Sequence, residues 1–178
     1  SAVVLRGPFP LTPQAEKVRD AYDAGDEALL GCTGWSAPRI MANPLPMTFV
    51  REGDTILQRF EENDSLRTIY MDRDLSAAPD EPSMFGFSVG RWEGQTLVVE
   101  TVGVIPDRIN NTGIPTSPDM ALKVWFIPAG DGKRLDYKLQ ITDPATFTDV
   151  VETGRYWEWR PEIQLRKYDC ERDQDLEG

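Results

Sequence analysis

From residue 47 onward, short alternating runs follow one another, nearly all bounded by a tight-turn signal. "MTFVR" and "TILQRFEEN" flank Glu52-Gly53-Asp54, and "SLRTIYM" follows Asn63-Asp64. "MFGFSVGRW" and "QTLVVETV" flank Glu93-Gly94. "ALKVWFI" and "KRLDYKLQIT" flank Ala129-Gly130-Asp131-Gly132, and "VVETGRYWEWRP" and "EIQLRKY" close the series. Runs this short read as strands, and Gly in a connection accepts the positive φ of hairpin turns. Leu135, Tyr137, Leu139 and Ile141 alternate with Asp136, Lys138 and Gln140, so that strand has one dry and one wet face. About nine such strands predict a mostly β chain arranged as an antiparallel meander.

An open meander leaves two raw edges, and curling the sheet until they meet removes them. The expectation is therefore a lipocalin-like barrel of roughly 8–10 strands, wide enough for one small ligand. A two-sheet sandwich with a filled core is the alternative. One helix is predicted ahead of the sheet, over about 13–24, with Thr12 as N-cap and Pro13 in the first turn. Its stripe of Ala15, Val18, Ala21 and Tyr22 should pack on the sheet, and Gly25 is a natural stop. "GCTGWSAPRIMANPLP" holds too many breakers for a regular element and reads as an ordered segment running over the barrel or along its edge. The stretch from Val104 to Met120 reads as a lid or binding loop. The whole of 1–178 is expected to be one domain: an N-terminal segment 1–31, a barrel 46–170 and a flexible tail 171–178.

Composition removes several functions. The net charge of −11 disfavours nucleic acid and anionic membranes as partners. No apolar run approaches the ~20 residues of a membrane-spanning helix, so no membrane insertion is expected. The chain has 0 histidines, which excludes Ser-His-Asp triads, Cys-His dyads and His-ligated metal sites. There is no phosphate-binding glycine loop, and no metal or cofactor is expected. Cys32 and Cys170, near opposite ends of the chain, are either a disulfide or two buried thiols. The oligomeric state stays open, a homo-oligomer included.

The segments "PRIMANPLP", "RTIYMD", "SVGRWEGQTLVVETVG" and "YDCE" resemble a large group of uncharacterised secreted bacterial proteins that share a G-R-W-E-G-x-T-L-V-V-x-T hairpin. The likeness runs from about Cys32 to Cys170 and carries no general activity with it. It implies export, hence a periplasmic or secreted protein whose signal peptide has been removed, and it supports the Cys32–Cys170 bridge. Members often have His where this chain has Phe87 and Thr116, and Trp where it has Asn63. Those departures imply a lost metal or proton-transfer role and a reshaped pocket.

Without histidine, acid–base chemistry falls to carboxylates, phenols and their cationic neighbours. Glu61 and Glu62 are adjacent, so one should face inward, and Arg67 lies just across the Asn63-Asp64 turn. With Tyr70 and Arg39 these form the candidate catalytic group: Glu61 as base, Tyr70 as proton donor, and Arg67 or Arg39 as oxyanion partner. A structural ion pair that fixes strand register is the competing reading. Trp125, Trp157, Trp159 and Phe87 are the candidate ligand-binding rings, with Arg155 on the same strand face as Trp157 and Trp159. Arg91 and Trp92 flank the Glu93-Gly94 turn and read as hairpin furniture. The expected function is a cofactor-independent lyase, isomerase or cyclase acting on a small hydrophobic or aromatic substrate. The alternative is a non-catalytic binding or carrier protein, and an interaction module with a filled core is a third reading.

Overall fold

The turn chemistry sets the sheet. The computed structural model describes residues 9–23, 25 and 34–168, so Cys32, Cys170 and the tail 171–178 lie outside the described residues. Eight strands lie side by side in chain order: β1 (Met47–Glu52), β2 (Thr55–Phe60), β3 (Leu66–Tyr70) and β4 (Phe87–Glu93), then β5 (Thr96–Val102), β6 (Ala121–Pro128), β7 (Arg134–Thr142) and β8 (Val151–Glu158). Gly53 and Gly94 sit at φ 58° and 61°, a region costly for any residue with a Cβ, and each closes a tight hairpin.

Six neighbouring pairs are antiparallel, and β3 with β4 is the exception, a short parallel contact of Ile69 with Ser88 and Tyr70 with Val89. The meander expected from sequence is interrupted there because residues 71–86 do not turn back. They cross the sheet, packing a 3-10 turn at Leu75–Ala77 against β4 and β5, and re-enter in the same direction. The terminal run "EIQLRKY" is not a ninth strand: it is irregular, and it runs past the β2–β3 turn. There Glu61 accepts from the Arg166 amide at 2.9 Å and Asp64 from the Tyr168 amide at 3.2 Å.

The sheet curls into a half-barrel with one helix, the barrel-like fold that the strand pattern implies. Among the described residues no ladder joins β8 to β1, so a seam remains between the two edges. The concave face carries Ile56, Ile69, Val99, Val124 and Leu139, all buried. It is not hollow. The irregular segment 34–46, expected to run over the barrel or along its edge, enters it instead, with Ala37, Ile40 and Met41 at most 1% exposed. Prolines bar this segment from pairing as a strand, yet Ile40 and Met41 each gain about 2 kcal/mol by leaving water, so they plug the sheet. Val104, Ile109, Ile114 and Met120 bring the 104–120 loop into the same core, which makes that loop a wall of the fold.

The helix α1 (Pro13–Asp20) is shorter than the sequence pattern predicts and ends at Ala21, well before Gly25. Thr12 caps it as expected, accepting from the Ala15 amide at 3.2 Å. Of its apolar stripe Ala15 is buried and Val18 is 42% exposed, so the helix is held by its flanks. The Thr12 amide donates to the Thr146 carbonyl at 2.9 Å, and the Tyr22 ring lies where a Cβ on Gly113 would clash. Arg91 and Trp92 do serve the hairpin: Arg91 bonds Glu93 and Glu100 on the convex face, while Trp92 is 55% exposed.

Candidate functional site

Two features stand out from the apolar interior. The first is a buried cation. Register places Gln58, Arg67, Ser88 and Thr101 on the concave face, where the surrounding positions are apolar. Arg67 is 1% exposed and donates to Ser88 Oγ at 3.0 Å, Gln58 Oε1 at 3.1 Å and Thr101 Oγ1 at 2.7 Å. Among the described residues no carboxylate pairs with it. Burial pushes its guanidinium down from the usual arginine range to about 10, partly countered by Tyr137. Met41 joins this network to β7 and β8: its sulfur faces Arg67 and the Tyr137 hydroxyl at 3.8 Å each, and its carbonyl accepts from Arg155 at 3.3 Å.

Burial raises the Tyr137 phenol above its ordinary value, with Arg67 and Arg155 opposing the rise. The unfolded phenol ionises near ~10, so above that pH the folded state binds more protons than the unfolded one and stability falls with rising pH. By about pH 11 the protein is expected to have lost ~1.4 kcal/mol relative to Tyr137→Phe, a gap that is absent near pH 9. Urea unfolding midpoints of the two proteins at both pH values check this.

The second feature is the seam. Between β1 and β8, roofed by residues 160–167, runs an open cleft of about 930 Å³. Met47, Phe60, Trp157, Trp159, Ile163 and Leu165 give it apolar surface. Its ionised lining is cationic: Arg59, Arg155, Arg160, Arg166 and Lys167 against Asp64 and Glu158. Arg160 is bound locally to Glu158 at 2.7 Å, which leaves the excess positive charge with the others.

Trp157 packs edge-on against Tyr137 at 5.2 Å, and the Arg155 guanidinium lies 5.1 Å from the Trp157 ring centre. The two residues share a face because they are two apart on β8, paired with Tyr137 and Leu135. Arg155 Nε and Trp157 Nε1 are both shielded from solvent and have no hydrogen-bond partner among the described residues. Each such donor costs about 1–3 kcal/mol while it is unmet. Burial lowers the Arg155 pKa, with Tyr137 opposing.

The residues proposed from sequence are dispersed. Glu61 is half-buried beside the β2–β3 turn, outside the strand expected to carry it, and Glu62 is the buried neighbour, accepting from Asn43 at 2.7 Å and Asn63 at 2.8 Å. Arg67 is in the core network, whereas Tyr70, on the convex face of the same strand, stacks on Phe87 at 5.1 Å beneath Arg73. Arg39 is buried with its guanidinium 4.5 Å over Trp35. Of the candidate rings, Trp157 and Trp159 line the cleft. Trp125 stands on the convex face between Lys123 and Lys138, and Phe87 is on that face too. Among the described residues no three Cys, Asp or Glu side chains gather in a metal-binding group, and no helix is long and apolar enough to cross a membrane. No family model matches the chain, and no curated protein or solved structure matches it either.

Proposed function

We propose that this protein belongs to the class of small-molecule binders built on a curled β-sheet. Its guest is a compact aromatic or hydrophobic molecule held in the β1–β8 seam, and by the resemblance of its sequence it works outside the cytoplasm. The observation that carries this is the cleft itself: about 930 Å³, room for a ligand of several rings, with Trp157 and Trp159 on one wall. Binding is favoured over catalysis because the groups a proton-transfer reaction would need are not assembled. Tyr70 and Arg67 lie on opposite faces of β3, and Glu61 is bound to the strap formed by residues 160–168.

Native mass spectrometry of freshly purified protein tests the proposal by looking for a co-purifying small molecule. A neutral probe, 2-naphthamide, followed by tryptophan fluorescence, locates the site. Trp159, at 67% exposure, can be cut back with little effect on folding. Trp159→Ala is expected to weaken naphthamide binding about 10-fold through the loss of one ring contact. Unchanged affinity in this variant, with no co-purifying mass, would remove the seam as a binding site.

A further inference from the structure

The seam holds more than an apolar wall. Arg155 Nε and Trp157 Nε1 are two hydrogen-bond donors on one face of one strand, shielded from water and without a hydrogen-bond partner among the described residues. The only acceptor that Arg155 meets among the described residues is the Met41 carbonyl, at 3.3 Å from a different nitrogen. No carboxylate pairs with this guanidinium there, although the chain carries 30 acidic residues against 19 basic ones. Arg91, Arg134 and Arg160, at the surface, each have a carboxylate partner. Arg155 instead faces a cleft whose other ionised walls are mostly cationic, with Arg59, Arg166 and Lys167 among them. Buried polar donors are normally satisfied, so two unmet ones beside a cleft point to an acceptor that arrives with a guest.

We propose that Arg155 and Trp157, whose Nε and Nε1 donors are closed to solvent as the side chains stand, turn those donors into the β1–β8 cleft to form a seat for the carboxylate of an aromatic acid whose ring lies along Trp157 and Trp159. A carboxylate suits the pair because it only accepts hydrogen bonds, offers two oxygens and matches the charge of the site. A neutral carbonyl also offers two lone pairs, but it leaves the cationic excess unbalanced. No bond is made or broken in this step; it is recognition. The proposal rests on the seam being the binding site, and it adds the charge and the polar contact that the guest must bring.

The test compares 2-naphthoate with its neutral counterpart 2-naphthamide on the full chain, by fluorescence titration and by the indole ¹⁵N–¹H resonance of Trp157, assigned as the peak that Trp157→Phe removes. Naphthoate is expected to bind at least about 10-fold more tightly than naphthamide, and to move the Trp157 indole proton downfield as the new hydrogen bond forms. Arg155→Gln keeps a donor for the Met41 carbonyl and removes the charge. It should abolish the preference for naphthoate, bringing the affinities of the two probes to within about 2-fold of each other. Equal affinity of the two probes at an intact Trp157 signal would overturn the carboxylate seat and leave the seam as a site for neutral aromatics. If neither probe moves the Trp157 resonance, both the seat and the seam reading fall. A naphthoate preference that survives Arg155→Gln overturns the role of Arg155.

Discussion

Arg67→Ala is expected to destabilise the protein by about 3–5 kcal/mol, the largest loss from any single truncation considered. Two effects add. The truncation opens a void in a side chain's space that is 1% exposed, and it strips three charge-assisted hydrogen bonds from Ser88, Gln58 and Thr101. Ser88 and Thr101 still have one another at 2.8 Å, so Gln58 is left the poorest in partners. Arg67→Met separates volume from charge. Methionine fills most of the space and removes a cation that has been taken out of water without a counter-charge, which costs several kcal/mol in its own right. Its cost is therefore expected to stay below about 1.5 kcal/mol. Urea unfolding of the two variants beside the native chain decides the matter. Equal losses for Ala and Met would mean that the hydrogen bonds, and not the filled volume, hold this part of the core.

Gly86→Ala is the second large effect, at about 3 kcal/mol or more. Gly86 has φ +63°, and a Cβ there would collide with the Val102 carbonyl oxygen and come within 2.8 Å of Val104 Cγ2. The carbonyl belongs to β5, and its strand partner is Phe87 of β4, so it cannot retreat without disturbing that pairing. Gly53→Ala is the matched control: φ is +58° but nothing lies within 4 Å. It should cost only the backbone strain, about 1 kcal/mol. Denaturation midpoints of both variants separate the collision from the strain.

The strands were legible because each alternates between neighbours of opposite polarity and most hairpins have a glycine in the turn. The run Leu135, Tyr137, Leu139, Ile141 does line the core, and Asp136, Lys138 and Gln140 stand on the other face. The parallel β3–β4 contact was not legible, because it depends on where residues 71–86 travel and not on any local pattern. The terminal alternation in "EIQLRKY" misled in the opposite sense: a period of two needs a neighbouring edge to pair with, and this segment hydrogen-bonds carboxylates instead. The plug of Ile40 and Met41 was hidden by its prolines, which mark irregular backbone but not whether that backbone is buried.

The candidate site was half legible. Alternation alone puts Arg155, Trp157 and Trp159 on one face, and two of the four candidate rings do line the cleft. A readable sign of the inner polar network also exists. Gln58 sits between Ile56 and Phe60, and Thr101 follows Val99, at positions where the pattern calls for an apolar side chain. What no sequence pattern discloses is that Arg155 Nε and Trp157 Nε1 go without hydrogen-bond partners among the described residues, since that depends on everything else in the fold facing elsewhere.

A sheet whose first and last strands never zip together behaves like a split ring. The width of its gap is fixed by whatever clasps it, and here the clasp includes two amides resting on Glu61 and Asp64 in place of a rung-by-rung ladder. Spreading such a ring strains few bonds, so under the binding role proposed above guests of differing girth would be admitted at similar cost, and selectivity would come from the pattern of charge at the gap more than from its width.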